Sequence, residues 1–167
     1  MKVHLMPEHR NKNDIQRRWD ALNKIPFGKR IFDLMIKLYI PYTGSMSAHV
    51  QELRPGYAKV CLRDRRKVRN HLNSVHAVAL ANLAEYTGNL ALVCGMPEDA
   101  RFIVKNISID YLKKARGTLT GECQAPIVSN NQKQEFSVYV TIKDSEGDVV
   151  VNGKLLTLIG PIKTDSR

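Results

Sequence analysis

Three polar residues, His76, Glu85 and Asn89, lie within the most apolar stretch of the sequence, residues 74–96. Burying an ionised carboxylate without a partner costs on the order of several kcal/mol, so Glu85 requires an explanation. One explanation is acid–base chemistry, for which a carboxylate and an imidazole are common agents. The other is structural, with Glu85 in an ion pair, His76 bonded to the backbone near a helix start, and Asn82 and Asn89 as amides that link helix and sheet.

The element that carries these residues is predicted to be one long buried helix. Residues 74–96 are rich in Ala and Leu and are apolar on nearly all sides, and a run of roughly 23 residues is too long for a strand. Small alanine side chains let other backbone elements approach such a helix closely. The polar residues are therefore expected to be surrounded by the rest of the fold.

Strand-like segments flank this helix on both sides. Residues 46–50 and 58–62 alternate with period two and are separated by the turn signal Pro55-Gly56. Four more strand-like runs lie at 100–111, 114–125, 135–143 and 149–159. Strands around a single helix predict an α+β domain in which a mostly antiparallel sheet wraps around the helix, the arrangement called a hotdog fold.

A helical arm precedes the sheet. From Asn13 or Asp14, either of which is a good N-cap, Ile15, Trp19 and Leu22 recur at helical spacing. After the interruption at residues 26–28, the pattern resumes to residue 41 with Ile31, Leu34, Met35 and Leu38. We therefore divide the chain into an arm at 1–43 and a hotdog domain at 44–163. A basic amphipathic arm suits either a membrane surface or packing on its own domain, and the chain's size favours packing.

The charge is strongly asymmetric along the chain. The net charge is +10, and the first 70 residues hold 16 basic and 6 acidic residues, while the remainder is balanced. Residues 63–69 are the densest basic segment, which suits a phosphate-bearing ligand, a nucleic acid, a membrane surface or simply a solvated loop. A nucleic-acid partner is disfavoured, because the segment has no interleaved aromatic residue and no helix-turn-helix pattern.

Length and composition exclude several classes of protein. A chain of 167 residues suits one domain, and 43% apolar residues are enough for a substantial core. The sequence contains neither an 18-residue apolar run nor an apolar segment after its first residues, which predicts a cytoplasmic protein without a membrane span. Cys61, Cys94 and Cys123 are far apart, which predicts reduced core residues, and no metal-ligand spacing is present.

Residues 70–88 resemble the signature of hotdog-fold acyl-CoA thioesterases. In that family a His followed by two glycines opens the central helix, and a Leu-Ala-Glu triplet lies in its middle with a Gly soon after. Here His76 and Glu85 keep the register, whereas Ala77 and Val78 stand where the family has paired glycines. Residues 41–44, 52–56 and the Arg-rich lead into residue 70 are similar to a mostly uncharacterised thioesterase-like subgroup, and the resemblance spans about residues 28–160.

The resemblance implies a role for each site residue. Glu85 would be the general base or the nucleophile, and the N–H of Ala77 would polarise the thioester carbonyl. His76 would orient the carbonyl or a water molecule, and Asn89 would hold the water or the carboxylate. Two weaker candidates, Asn70 and Asn73, precede the helix and could simply cap it.

The substrate would be an acyl-CoA or an acyl-carrier protein, and the resemblance implies no cofactor beyond the coenzyme A of the substrate. Two basic patches are candidates for its phosphates. They are Arg65, Arg66, Lys67 and Arg69 upstream of the helix, and Lys113, Lys114 and Arg116 between two strands. The alternatives are a non-catalytic acyl-CoA-binding module and another hotdog enzyme such as a hydratase or dehydratase.

A homodimer or a dimer of dimers is also expected. The nine residues from His76 to Glu85 correspond to half a turn and about 13.5 Å of rise on a helix, so the two residues of one chain face apart. One carbonyl carbon can lie near both only if they come from different subunits. Dimers are also usual among the thioesterases that the sequence resembles.

Overall fold

The computed structural model describes residues 12–162. Residues 1–11 of the predicted arm and residue 163 of the predicted hotdog domain lie outside them. In chain order the elements are α1 (Asp14–Leu22), α2 (Gly28–Tyr39), α3 (Pro41–Gly44), β1 (His49–Arg54), β2 (Tyr57–Leu62), a short 3-10 turn (Arg66–Val68), α4 (Ala77–Cys94), β3 (Ala100–Tyr111), β4 (Leu119–Gln124), β5 (Gln134–Lys143) and β6 (Val149–Pro161).

The six strands form one sheet in the order β1-β2-β4-β5-β6-β3, and every neighbouring pair is antiparallel. The long strand β3 pairs with β6 alone and leaves its other edge without a neighbouring strand in the described chain. This confirms the predicted antiparallel sheet and hotdog fold.

Helix α4 lies against the concave face of the sheet. A Cβ added at Gly88 would come within 2.5 Å of a Leu155 methyl group, so a larger residue here would require the Leu155 side chain to move. Although α4 is long and apolar enough to cross a membrane, 61% of it is buried inside the fold, which is typical of the core helix of a soluble domain. The helix begins at Ala77 and ends at Cys94, within the predicted segment.

The helical arm packs on the domain through α1 and one side of α2. Asn13 caps α1, as predicted, and its side-chain amide also donates to the carbonyls of Val93 and Met96 at 2.5 and 2.9 Å. The Trp19 and Phe32 rings meet edge to face at 5.0 Å within the core. The arm and the sheet therefore share one hydrophobic core.

Three details differ from the expectations. Strand β1 covers His49–Arg54 and not residues 46–50, because Ser47 has a φ of 49°, a left-handed conformation that interrupts an extended strand. The buried side of α2 carries Phe32 and Ile36, whereas the residues that marked the expected apolar side, Ile31, Leu34 and Leu38, are exposed. Strand β4 begins at Leu119 and not at residue 114. The reason is that the carbonyl of Ala115 accepts from Val75 N at 2.8 Å and Gly117 has a φ of 71°, which together make residues 112–118 a loop against the start of α4.

All three cysteines, Cys61, Cys94 and Cys123, are buried and none forms a disulfide. Burial raises the pKa of the Cys61 thiol above its ordinary value and raises the pKa of Cys123 to about 12.

Candidate active site

His76 caps the N-terminus of α4 with its side chain. Its Nδ1 accepts from the N–H of Val78 at 3.1 Å, and its own backbone N–H donates to the carbonyl of Val68 at 2.8 Å. Because Nδ1 accepts, the neutral ring carries its proton on Nε2, which has no partner among the described residues. The backbone N–H groups of Ala77 and Ala79 also lack acceptors there. This helix end therefore presents several free donors, which suit a developing negative charge.

Glu85 lies on the least buried side of α4. This side is a line of residues spaced by three or four, namely Val78, Ala81, Glu85 and Asn89. Val78 is 54% exposed and the other three are half-buried. Within residues 12–162, the Glu85 carboxylate has neither an ion-pair partner nor a hydrogen-bond donor. The structural explanation of a paired Glu85 is therefore wrong for this part of the chain.

Two asparagine oxygens of α4 are buried without a donor. They are the Oδ1 atoms of Asn82 and Asn89, and the Thr157 hydroxyl of β6 is in the same state within the described chain. Asn82, which the sequence analysis did not choose as a site residue, lines a pocket of about 220 Å³ at the start of α4 together with His76 and Val78. Its spacing of three from Glu85 was a signal that could have identified it.

Asn70 and Asn73 build the loop that leads into α4. The Oδ1 of Asn70 accepts from the backbone N–H groups of Leu72 and Ser74 at 2.9 and 3.3 Å, and from the Ser74 hydroxyl at 3.2 Å. Asn73 has a φ of 54°, a left-handed conformation that asparagine tolerates. Neither residue caps the helix, because His76 does so.

The two predicted basic patches lie on one surface beside the start of α4. Asp64 joins them, because its carboxylate accepts from Arg69 at 2.6 Å and from the Gly117 N–H at 3.0 Å. The Arg69 hydrogen bond holds the pKa of Asp64 below its ordinary value. Arg65 donates to the carbonyls of Met46 and Ser47 at 2.8 and 3.2 Å.

The remaining cations of these patches differ in their pairing. Arg66, Lys67, Lys114 and Arg116 have no hydrogen-bonded or ion-pair partner among the described residues. Lys113, in contrast, lies 2.8 Å from Asp144 and 2.6 Å from Asp148, and these hydrogen bonds raise its pKa. Asp144, Glu146 and Asp148 are the one group of carboxylates found in residues 12–162 that could hold a metal ion, and the Lys113 ammonium already lies against two of them.

A second cleft, of about 540 Å³, lies between the arm and the first two strands. Asp33 of α2 is one of the residues that line it. The Asp33 carboxylate accepts from the N–H of Val50 at 3.0 Å and lies 2.5 Å from His49 Nδ1. Arg30, Lys37 and Arg63 also line it. This cleft could not be predicted from a local motif, because Asp33 and His49 are 16 residues apart in the sequence.

The comparisons with known proteins agree with this fold. The protein solved as genomics APC5556 is 26% identical, with a TM-score of 0.77, over 89% of this chain and 99% of its own. PA5026 of Pseudomonas aeruginosa, described as a probable thioesterase, is 20% identical with a TM-score of 0.71, over 83% of this chain and 97% of its own. Thioesterase HI1161 of Haemophilus influenzae is 12% identical with a TM-score of 0.71, over 86% and 98%. No curated protein matches the chain.

The family model for a domain of unknown function, DUF4442, matches residues 28–159. The chain belongs to this family. The hotdog fold that the resemblance implied is confirmed, since solved structures described as thioesterases share it.

Proposed function

We propose that this member of the DUF4442 family hydrolyses acyl thioesters, with coenzyme A as the carrier of the acyl group. The observation that carries the proposal is Glu85, a half-buried carboxylate on the open side of α4 with no partner among the described residues. A carboxylate kept in such a position without a partner is costly to folding, which is typical of groups retained for chemistry. The thioesterase names of proteins with this fold support the same reaction class.

In the proposed reaction Glu85 acts on the thioester carbonyl carbon either by taking a proton from an attacking water molecule or by direct attack. The carbonyl oxygen gains negative charge and accepts from the Ala77 N–H and from His76 Nε2–H at the positive end of α4. In the general-base route the carbon–sulfur bond breaks as the thiolate takes up the proton that Glu85 removed from water. In the direct route the thiolate is protonated by solvent, and water then hydrolyses the anhydride between the acyl group and Glu85. The products of either route are a carboxylate and coenzyme A. Asn89, one turn after Glu85, would hold the water or the carboxylate.

The site is proposed to be completed by a second copy of the chain. Strand β3 offers an edge of 12 residues with no neighbouring strand among residues 12–162, and Ile103, Ile107 and Tyr111 along it are between 40 and 55% exposed. A long edge strand with apolar side chains favours pairing with another strand. A two-fold contact through β3 would bring the open side of each α4 towards its partner, so that Glu85 of one chain could serve the helix start of the other.

The basic surface supports coenzyme A as the carrier. Arg66, Lys67, Lys114 and Arg116 are cations without a partner in the described part of the chain, and they lie close to the start of α4, where the thioester would lie. Coenzyme A carries a pyrophosphate and a 3′-phosphate, which suit such cations. The ion-paired Lys113 and the backbone-bonded Arg65 are better suited to shaping this surface than to holding phosphates.

The test is a panel of acyl-CoA substrates of graded chain length, monitored for released thiol. Glu85→Gln keeps the shape of the side chain and removes its charge, so kcat should fall on the order of 100-fold or more while the protein stays folded. Glu146→Gln, at an exposed turn, is the matched control and should keep normal turnover. Near-normal turnover by Glu85→Gln would refute the role of Glu85.

The same panel distinguishes the alternatives. Retention of acyl-CoA without thiol release would indicate a binding module, and addition or loss of water across a double bond would indicate a hydratase or dehydratase. An acyl-carrier-protein donor would be indicated by turnover of the carrier thioester and not of the CoA thioester.

A combined Arg66→Gln, Lys67→Gln and Arg116→Gln variant tests the phosphate contacts. It should raise the KM for acyl-CoA and flatten its salt dependence, with less effect on acyl-pantetheine analogues that lack the nucleotide. Lys154→Gln on the outer face of the sheet is the control and should change neither KM. An equal effect of the combined variant on both substrate types would refute this role.

A further inference from the structure

The outer side of α2 carries an apolar stripe that no residue of the described range 12–162 covers. We define the stripe as Phe27, Ile31, Leu34 and Leu38, whose spacing of four, three and four residues aligns them along the helix. They are between 47 and 73% exposed, while Phe32 and Ile36 on the opposite side are in the core. Eight of the seventeen exposed large apolar residues of the described chain lie between residues 25 and 42. Such a concentration marks an interaction surface.

The first residue of the stripe is held in a strained conformation. Phe27, at the N-cap of α2, has a φ of 61°, which is unfavourable for an aromatic residue, and its ring is 73% exposed. Glycine or asparagine would fit this backbone better. Core packing does not explain the ring, because it is exposed. Helix capping does not explain it either, because phenylalanine has no side-chain atom that could cap α2. Strain at an exposed aromatic residue points to a role outside folding.

The exposed charged side chains of residues 24–42 are all basic. Exposed Lys24, Arg30 and Lys37 flank it, and the Arg30 guanidinium lies 5.8 Å from the Phe27 ring centre. The only carboxylate between residues 24 and 42 is Asp33, which is occupied by His49 and Val50 N. Arg30, Leu34 and Lys37 also line the 540 Å³ cleft, together with Arg63 and Arg65. Apolar and cationic groups are therefore continuous on this side of the molecule.

We propose that the stripe of α2 docks the protein on an anionic lipid bilayer. A helix with an exposed apolar line and lysine and arginine beside it is the pattern that inserts at a membrane interface, with the cations on the lipid headgroups. Tyr39 and Tyr42, which are 86 and 69% exposed at the end of the stripe, are residues enriched at that depth. A two-fold contact between copies would place these cations against each other, which disfavours a second copy as the occupant.

The test is sedimentation of the full chain with vesicles. Phosphatidylcholine vesicles are compared with vesicles in which about a third of the lipid is phosphatidylglycerol. The wild-type chain should sediment with the anionic vesicles at least about ten-fold more strongly than with the neutral ones, and added salt should weaken the binding.

Three variants locate the binding surface. Phe27→Asn relieves the backbone strain and Leu38→Gln keeps helix propensity, so both should unfold at or above the wild-type temperature. Each should nevertheless lower the vesicle partition coefficient about five-fold or more. Tyr139→Thr is the matched control, because Tyr139 on β5 is 61% exposed and has Lys154 at the same 5.8 Å from its ring. It should bind as the wild type does.

Three results would overturn the proposal. The first is that the wild-type chain ignores anionic vesicles, and the second is that Phe27→Asn and Leu38→Gln bind as well as Tyr139→Thr does. The third is that the wild-type chain forms an assembly that Leu38→Gln dissociates in analytical ultracentrifugation, which would assign the stripe to a second copy. None of these readouts depends on thioester hydrolysis.

Discussion

A mixture of two inactive variants should recover activity if the site is shared between subunits. His76→Asn removes the imidazole, and asparagine is itself a good N-cap, so α4 should keep its start. Glu85→Gln removes the carboxylate charge. Each variant alone is expected to lose on the order of 100-fold or more in kcat.

The expected recovery follows from the helix geometry. Residues 76 and 85 of one α4 are about 13.5 Å apart along the axis and half a turn apart around it, so one carbonyl carbon cannot contact both. In a mixed dimer, one site carries both substitutions and the other carries neither. Random pairing of equal amounts makes half of the dimers mixed, so roughly a quarter of all sites should be active.

The assay is thiol release from acyl-CoA after the two variants have exchanged subunits. Exchange is verified with two affinity tags and by the mass of the mixed dimer, and each variant mixed with itself is the control. If mixed dimers form and the mixture stays inactive, the shared-site reasoning is refuted.

Two further predictions concern stability. Thr157→Val removes a buried hydroxyl that has no partner in the described chain and keeps the side-chain shape, so the free energy of unfolding in urea should rise by about 1 kcal/mol; a clear fall would mean that the hydroxyl is bonded. Asp64→Asn removes the contact with Arg69 and should therefore destabilise the protein at pH 7. Arg69 is 43% exposed, so solvent screens the contact and the expected loss is only about 1 kcal/mol. The pKa of Asp64 is lowered from 3.8, so this difference should be complete above about pH 5 and shrink as the pH falls towards 3; a difference that is constant across this range would contradict the Arg69 explanation.

The helices and strands could be predicted largely from local patterns, because each has its own period. The alternation in β2, the apolar length of α4 and the cap at Asn13 are all local signals, and the structure confirms them. The alternation at residues 46–50 was misleading, since β1 begins only at His49. The strand order was not predictable in the same way, since it depends on contacts between segments far apart in the chain.

The environment of the site was less predictable. Spacing placed Glu85 on α4, but whether it had a partner depended on the surrounding elements. Similarly, α2 has apolar residues on two sides, and its sequence alone does not indicate which side is buried. The buried side is the one with Phe32 and Ile36, where Phe32 contacts Trp19 of α1. The two basic patches are joined by Asp64, which bonds Arg69 five residues away and Gly117 53 residues away.

The burial of the three cysteines has a practical consequence for the thiol-release assays proposed above. A thiol reagent reacts with the exposed thiolate, and Cys61, Cys94 and Cys123 are all buried, with the pKa raised in Cys61 and Cys123. The folded protein should therefore give a low background, so that the colour reports released coenzyme A. A variant that unfolds would instead expose its own sulfur to the reagent before any substrate is added. The same cuvette thus provides a built-in check that a loss of turnover is chemical and not the result of misfolding.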